Sequence, residues 1–81
     1  MNTVIKVLGT NCSKCLLLEK NVRAVVADMK MDANVIKVDN IEEIINYGVL
    51  MTPGLVINEE IKSTGSVPSN KFLKELFTEY I

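Results

Sequence analysis

The chain has 81 residues, 48% of them apolar, with nine Lys and Arg against ten Asp and Glu for a net charge of −1. That length holds one domain with one modest core, expected to span residues 1–81, and the apolar content excludes a disordered chain. The scattered basic residues exclude the clustered basic face that a nucleic-acid partner requires, and no apolar run approaches the roughly 20 residues that cross a bilayer.

Thr3–Leu8 (TVIKVL) is short, β-branched and nearly all apolar, and reads as a strand covered on both faces. Lys6 in its middle either snorkels from the end of the sheet or lies near the thiols, and the first reading is preferred. Val4–Leu8 is too short for the apolar core of a secretion signal, so the expected compartment is the cytoplasm. Gly9-Thr10-Asn11 ends the strand, with Gly9 read as its terminator.

Cys12-Ser13-Lys14-Cys15 follows, and its two thiols are the only cysteines in the chain. In a reducing compartment such a pair points to catalysis or metal binding rather than a structural staple. From Cys15 onward, apolar residues recur at Leu18, Val22, Val25, Val26 and Met29, which predicts a helix from about Cys12 to about Met31. Cys12 therefore sits where unpaired N–H groups and the positive helix end favour a thiolate. Thiols so placed titrate at roughly 3.5–7.5 against about 8.5 for a free one. Cys15, one turn on, faces the core. Lys14 is read in two ways, as a charge that lowers the nucleophile's pKa or as a solvated first-turn lysine. Ser13 offers a hydroxyl near the sulfurs, but serine is also common at helix starts.

Asp32-Ala33-Asn34 is a turn, and Val35–Val38 a second strand whose Lys37 suits a sheet edge. Strand, helix and strand in this span make a right-handed βαβ unit with parallel strands. Asp39 or Asn40 caps a short helix through Tyr47, with Ile41, Ile44 and Ile45 as its buried stripe and Gly48 at its left-handed end. Thr52-Pro53 precedes a third strand, Gly54–Ile57. Asn58-Glu59-Glu60, a solvated tip, turns the chain into an antiparallel fourth strand, Ile61–Thr64. Ser69 caps a last helix carrying Phe72, Leu73, Leu76, Phe77 and Tyr80 on one face. Met29, Met31 and Met51 are read as core filler.

This order, with Cys-x-x-Cys between the first strand and first helix and Thr52-Pro53 before the third strand, resembles the thioredoxin/glutaredoxin superfamily over nearly the whole chain. Leu8-Gly9-Thr10-Asn11-Cys12-Ser13-Lys14-Cys15 and Met51-Thr52-Pro53-Gly54-Leu55-Val56 are similar to the small, glutaredoxin-sized redox-active disulfide proteins within it. The resemblance implies an α/β, thioredoxin-like β-α-β-α-β-β-α fold. Its four-stranded mixed sheet has the order 2-1-3-4, with the first and third helices on one face and the second on the other. It implies a cis Pro53 beside the dithiol and substrate pairing with the backbone of Thr52. It also implies thiol–disulfide exchange on protein disulfides, with Cys12 attacking and Cys15 resolving. The expected protein is a monomer with no bound cofactor or metal, re-reduced by a reductase or thiol donor. Asn11 stands where thioredoxins carry Trp, and Ser13-Lys14 where they carry Gly-Pro. Two other readings stay open. One is a carrier of a soft ion such as Cu(I), which two thiolates would suit. The other is a catalytically silent thioredoxin-like adaptor.

Overall fold

In a computed structural model of the protein, which describes residues 3–81, β1 (Thr3–Leu8) and β3 (Gly54–Ile57) form the middle of the sheet. The alternation of side chains along β1 divides the molecule. Ile5 and Val7 point into one core, while Leu8 points into a second core on the other face. Residues 1 and 2 of the expected domain lie outside the described residues.

The first core is built between the sheet and two helices. α1 (Ser13–Asp28) contributes Leu18, Val22 and Val25, and α3 (Asn70–Phe77) contributes Leu73 and Phe77. Each such side chain, fully withdrawn from water, stabilises the fold by roughly 1.5–3 kcal/mol. Lys74 ties the two helices through Asp28 at 3.0 Å. The second core is smaller: Leu8, Val38, Ile44, Val49 and Val56, under α2 (Ile41–Asn46). β2 (Ala33–Val38) pairs in parallel with β1, and β4 (Glu60–Thr64) pairs antiparallel with β3. The sheet order is β2-β1-β3-β4, as the resemblance implied.

Besides earlier starts for β2 (Ala33, within the expected turn) and β4 (Glu60), and an exposed Phe72, four differences from the sequence reading stand out. α1 ends at Asp28 rather than about Met31, because Lys30 adopts φ 53°, and the Lys30 and Met31 N–H groups turn back to Ala27 and Val26. A lysine gives no warning of this left-handed stop, which glycine or asparagine usually marks. α2 buries Ile44 but leaves Ile41 and Ile45 62% and 57% exposed. A helix of one and a half turns meets the sheet along a single line, so its flanking residues stay outside. Met51 is likewise exposed, lying against Gly65 instead of filling the core, whereas Met29 and Met31 pack at its edge.

Lys6 is the fourth. Its ammonium is bonded to Tyr47 Oη at 2.7 Å and Glu59 Oε1 at 2.8 Å, and the Tyr47 hydroxyl donates to Glu59 Oε2 at 3.0 Å. The Glu59 carboxylate, and then the Tyr47 hydroxyl, hold the Lys6 pKa above the ordinary lysine value. Lys6 in turn lowers that of Glu59. This three-residue link joins β1, the end of α2 and the β3–β4 turn, where Asn58 and Glu59 both take positive φ.

Candidate active site

Cys12 is the N-cap of α1, and it performs the capping with sulfur. Its backbone is extended (φ −80°, ψ 159°) and its Sγ accepts the Cys15 N–H at 3.2 Å, while its carbonyl accepts the Leu16 N–H at 3.0 Å. One of the orphan N–H donors of the first helical turn is thus aimed at the sulfur. Cys12, Ser13 and Lys14 are exposed, whereas Cys15 is 1% exposed. The helix therefore presents one sulfur to solvent and holds the other in the protein.

The two are joined as a disulfide, with Cα atoms 5.2 Å apart, within the usual range for such bridges. Paired sulfurs of this kind are what a two-electron exchange leaves behind. Among the described residues no group of three or more His, Cys, Asp or Glu side chains is placed to hold a metal ion.

The Thr52-Pro53 peptide is cis, as the resemblance implied; Pro53 is buried and Thr52 exposed. The Pro53 carbonyl accepts the Gly65 N–H at 2.9 Å, which ties this loop to the end of β4. The space beside Gly9 brings loop and dithiol together. A Cβ built on Gly9 would lie 2.5 Å from Cys15 Sγ and 3.6 Å from Thr52 Cβ. Thr10 and Thr52 also line an open groove of about 360 Å³ whose other walls are Ile41, Ile44, Ile45, Val49 and Leu50. Leu50 is 90% exposed, so the loop leading to Thr52 presents an apolar shoulder to solvent.

Two contributors escaped the sequence reading. Lys37, read as an edge residue, sends its ammonium to Asn11 Oδ1, one residue before Cys12. The signal was in the parallel register: Lys37 stands opposite Val7, so it lies level with the end of β1, where the Cys12 loop begins. Gly9, read as a strand end, is buried against the Cys15 sulfur. That signal lay only in the distance between strand and helix, which no local pattern carries.

Comparison with known proteins agrees with this geometry. A family model described as "Thioredoxin domain" matches residues 3–78. The chain is 34% identical over 74 residues to a thioredoxin of Methanothermobacter thermautotrophicus, covering 91% of this chain and 96% of that one. It is 35% identical over 78 residues to a thioredoxin of Methanocaldococcus jannaschii, covering 96% and 90%. Among solved structures, a mutant thioredoxin from Halobacterium salinarum superposes with a TM-score of 0.76 at 27% identity, covering 96% of this chain and 74% of that one. The germline-specific thioredoxin Deadhead of Drosophila melanogaster gives 0.73 at 17% identity, covering 99% and 82%, a likeness of fold.

Proposed function

The chain belongs to the thioredoxin family and is a thiol–disulfide oxidoreductase, and on that premise we propose that Cys12 attacks disulfide substrates and Cys15 resolves the intermediate. The observation that carries this division of labour is the difference in exposure across one turn of α1. Cys12 is open to solvent with an N–H pointed at its sulfur, and Cys15 is 1% exposed behind it.

In the reducing direction, the Cys12 thiolate attacks one sulfur of a protein disulfide. The new S–S bond forms as the old one breaks, and the leaving thiolate takes a proton from solvent. Cys15, deprotonated, then attacks Cys12 Sγ, releasing the second substrate thiol and leaving the Cys12–Cys15 disulfide. A reductase or small thiol donor returns two electrons and two protons. The exposed Thr52 offers its backbone to an extended substrate chain, with the buried Pro53 as the wall behind it. Lys14, and more weakly the hydroxyl of Ser13, favour the Cys12 thiolate by charge and hydrogen bonding. The protein acts as a monomeric single domain over residues 1–81, in the cytoplasm, with no cofactor and no nucleic-acid or membrane partner. Among the described residues no helix is long and apolar enough to cross a membrane.

The test is titration of the Cys12/Cys15 couple in glutathione redox buffers, alongside insulin reduction by wild type, Cys12→Ser and Cys15→Ser. A reversible intramolecular disulfide and reduction that depends on Cys12 are expected. Absence of both, with tight Cu(I) binding, would replace this reading with a metal carrier.

A further inference from the structure

We propose that Gly9 is a positioning residue for the dithiol, setting the balance between its disulfide and dithiol forms by leaving room for Cys15 Sγ. Gly9 is buried at the end of β1, where its N–H donates to the Val38 carbonyl at 2.9 Å. A Cβ at this position would sit 2.5 Å from Cys15 Sγ and 3.0 Å from Cys15 Cβ. Non-bonded heavy atoms rest roughly 3.5–4.0 Å apart, so the sulfur would have to move. The need is for space and not for backbone freedom. The glycines with positive φ are Gly48 and Gly65, and Gly9 is not among them.

The two redox forms answer that crowding differently. In the disulfide, Cys15 Sγ is tethered to Cys12 Sγ and cannot turn about χ1 without straining the bridge. In the dithiol, it is free to take another staggered rotamer. An added methyl at residue 9 therefore disfavours the disulfide more than the dithiol. The contact with Cys15 Cβ exists in both forms and cancels. Reduction breaks the Cys12–Cys15 bond and takes two electrons and two protons from two glutathione thiols, which leave joined as glutathione disulfide.

The experiment is equilibration of Gly9→Ala with glutathione buffers, paired with urea unfolding of its oxidised and reduced forms. Its equilibrium should move toward the dithiol by at least about tenfold, a potential about 30 mV less negative. The oxidised form should lose more stability than the reduced form by the same factor. A glycine that only ends a strand would cost both forms equally and leave the potential where it was. That result, or a shift toward the disulfide, overturns the proposal. If oxidised Gly9→Ala does not fold, the same variant held reduced in dithiothreitol decides. The dithiol form should fold, and failure of both forms overturns the proposal. The inference rests on Cys12 and Cys15 being the redox couple. A wild type with no reversible couple would sink that reading, whereas a normal wild-type couple with an unmoved Gly9→Ala would sink this one alone.

Discussion

Lys37, on the outer strand of the sheet, reaches across to hydrogen-bond the side chain of Asn11, the residue immediately before Cys12. The bond fixes the approach to the N-cap and brings a positive charge to the loop that carries the exposed sulfur. Replacing Lys37 by Gln removes the charge and keeps a donor. The Cys12 thiol of the reduced variant should titrate higher and alkylate several-fold more slowly at neutral pH. This corresponds to on the order of 1 kcal/mol, the energy of one unit charge acting through a largely aqueous medium. Lys14→Gln should act in the same direction and lose most of its effect in 1 M salt. The pH dependence of iodoacetamide alkylation measures both, and an unchanged profile in both variants would remove charge from the explanation.

The short helix before the Thr52-Pro53 loop depends on one cap. Asn40 Oδ1 accepts the Glu43 N–H at 3.1 Å. Asn40→Ala should lower stability by about 1 kcal/mol and Asn40→Gly by only a few tenths. Urea unfolding of oxidised and reduced protein should show the same loss in each, since the cap does not touch the sulfurs. A loss confined to one redox form would tie α2 to the dithiol in a way the geometry does not suggest.

The Lys6–Tyr47–Glu59 link makes a pH-dependent contribution whose sign is fixed by the two shifts. The raised Lys6 pKa gives stability that is fully present below the ordinary lysine value of 10.5 and lost as pH rises through the raised one. The lowered Glu59 pKa gives stability present above the ordinary 4.5 and lost as pH falls through the lowered one. Lys6→Met should therefore lower the urea midpoint at pH 7. The gap from wild type should narrow as pH falls below 4.5. An equal gap at pH 7 and in acid would show that Lys6 contributes by packing its stem and not by this pairing.

The sheet and the dithiol were legible because their signals are local. Short, β-branched apolar runs mark β1 and β3, and two cysteines at the start of an apolar-periodic helix announce their own geometry. What stayed hidden depends on contacts between segments far apart in the chain. Lys37 looked like an edge charge until the parallel register put it beside the Cys12 loop. Lys6 looked like a snorkelling side chain because its partners lie 41 and 53 residues away. Ile41 and Ile45 carry helical spacing in a helix too short to bury them, and so became the walls of an open groove. Gly9 looks in sequence like a strand end, although its missing Cβ makes space for Cys15.

The assignment of Cys12 as attacking thiol and Cys15 as resolving thiol is tested most directly by trapping the intermediate. Reduced Cys15→Ser and Cys12→Ser are each incubated with oxidised insulin, and intact mass with peptide mapping locates any adduct. Cys15→Ser should accumulate a near-stoichiometric mixed disulfide at Cys12, reversed by dithiothreitol, while Cys12→Ser forms almost none. An adduct of equal yield at Cys15 in Cys12→Ser, or insulin turnover retained by that variant, would contradict it.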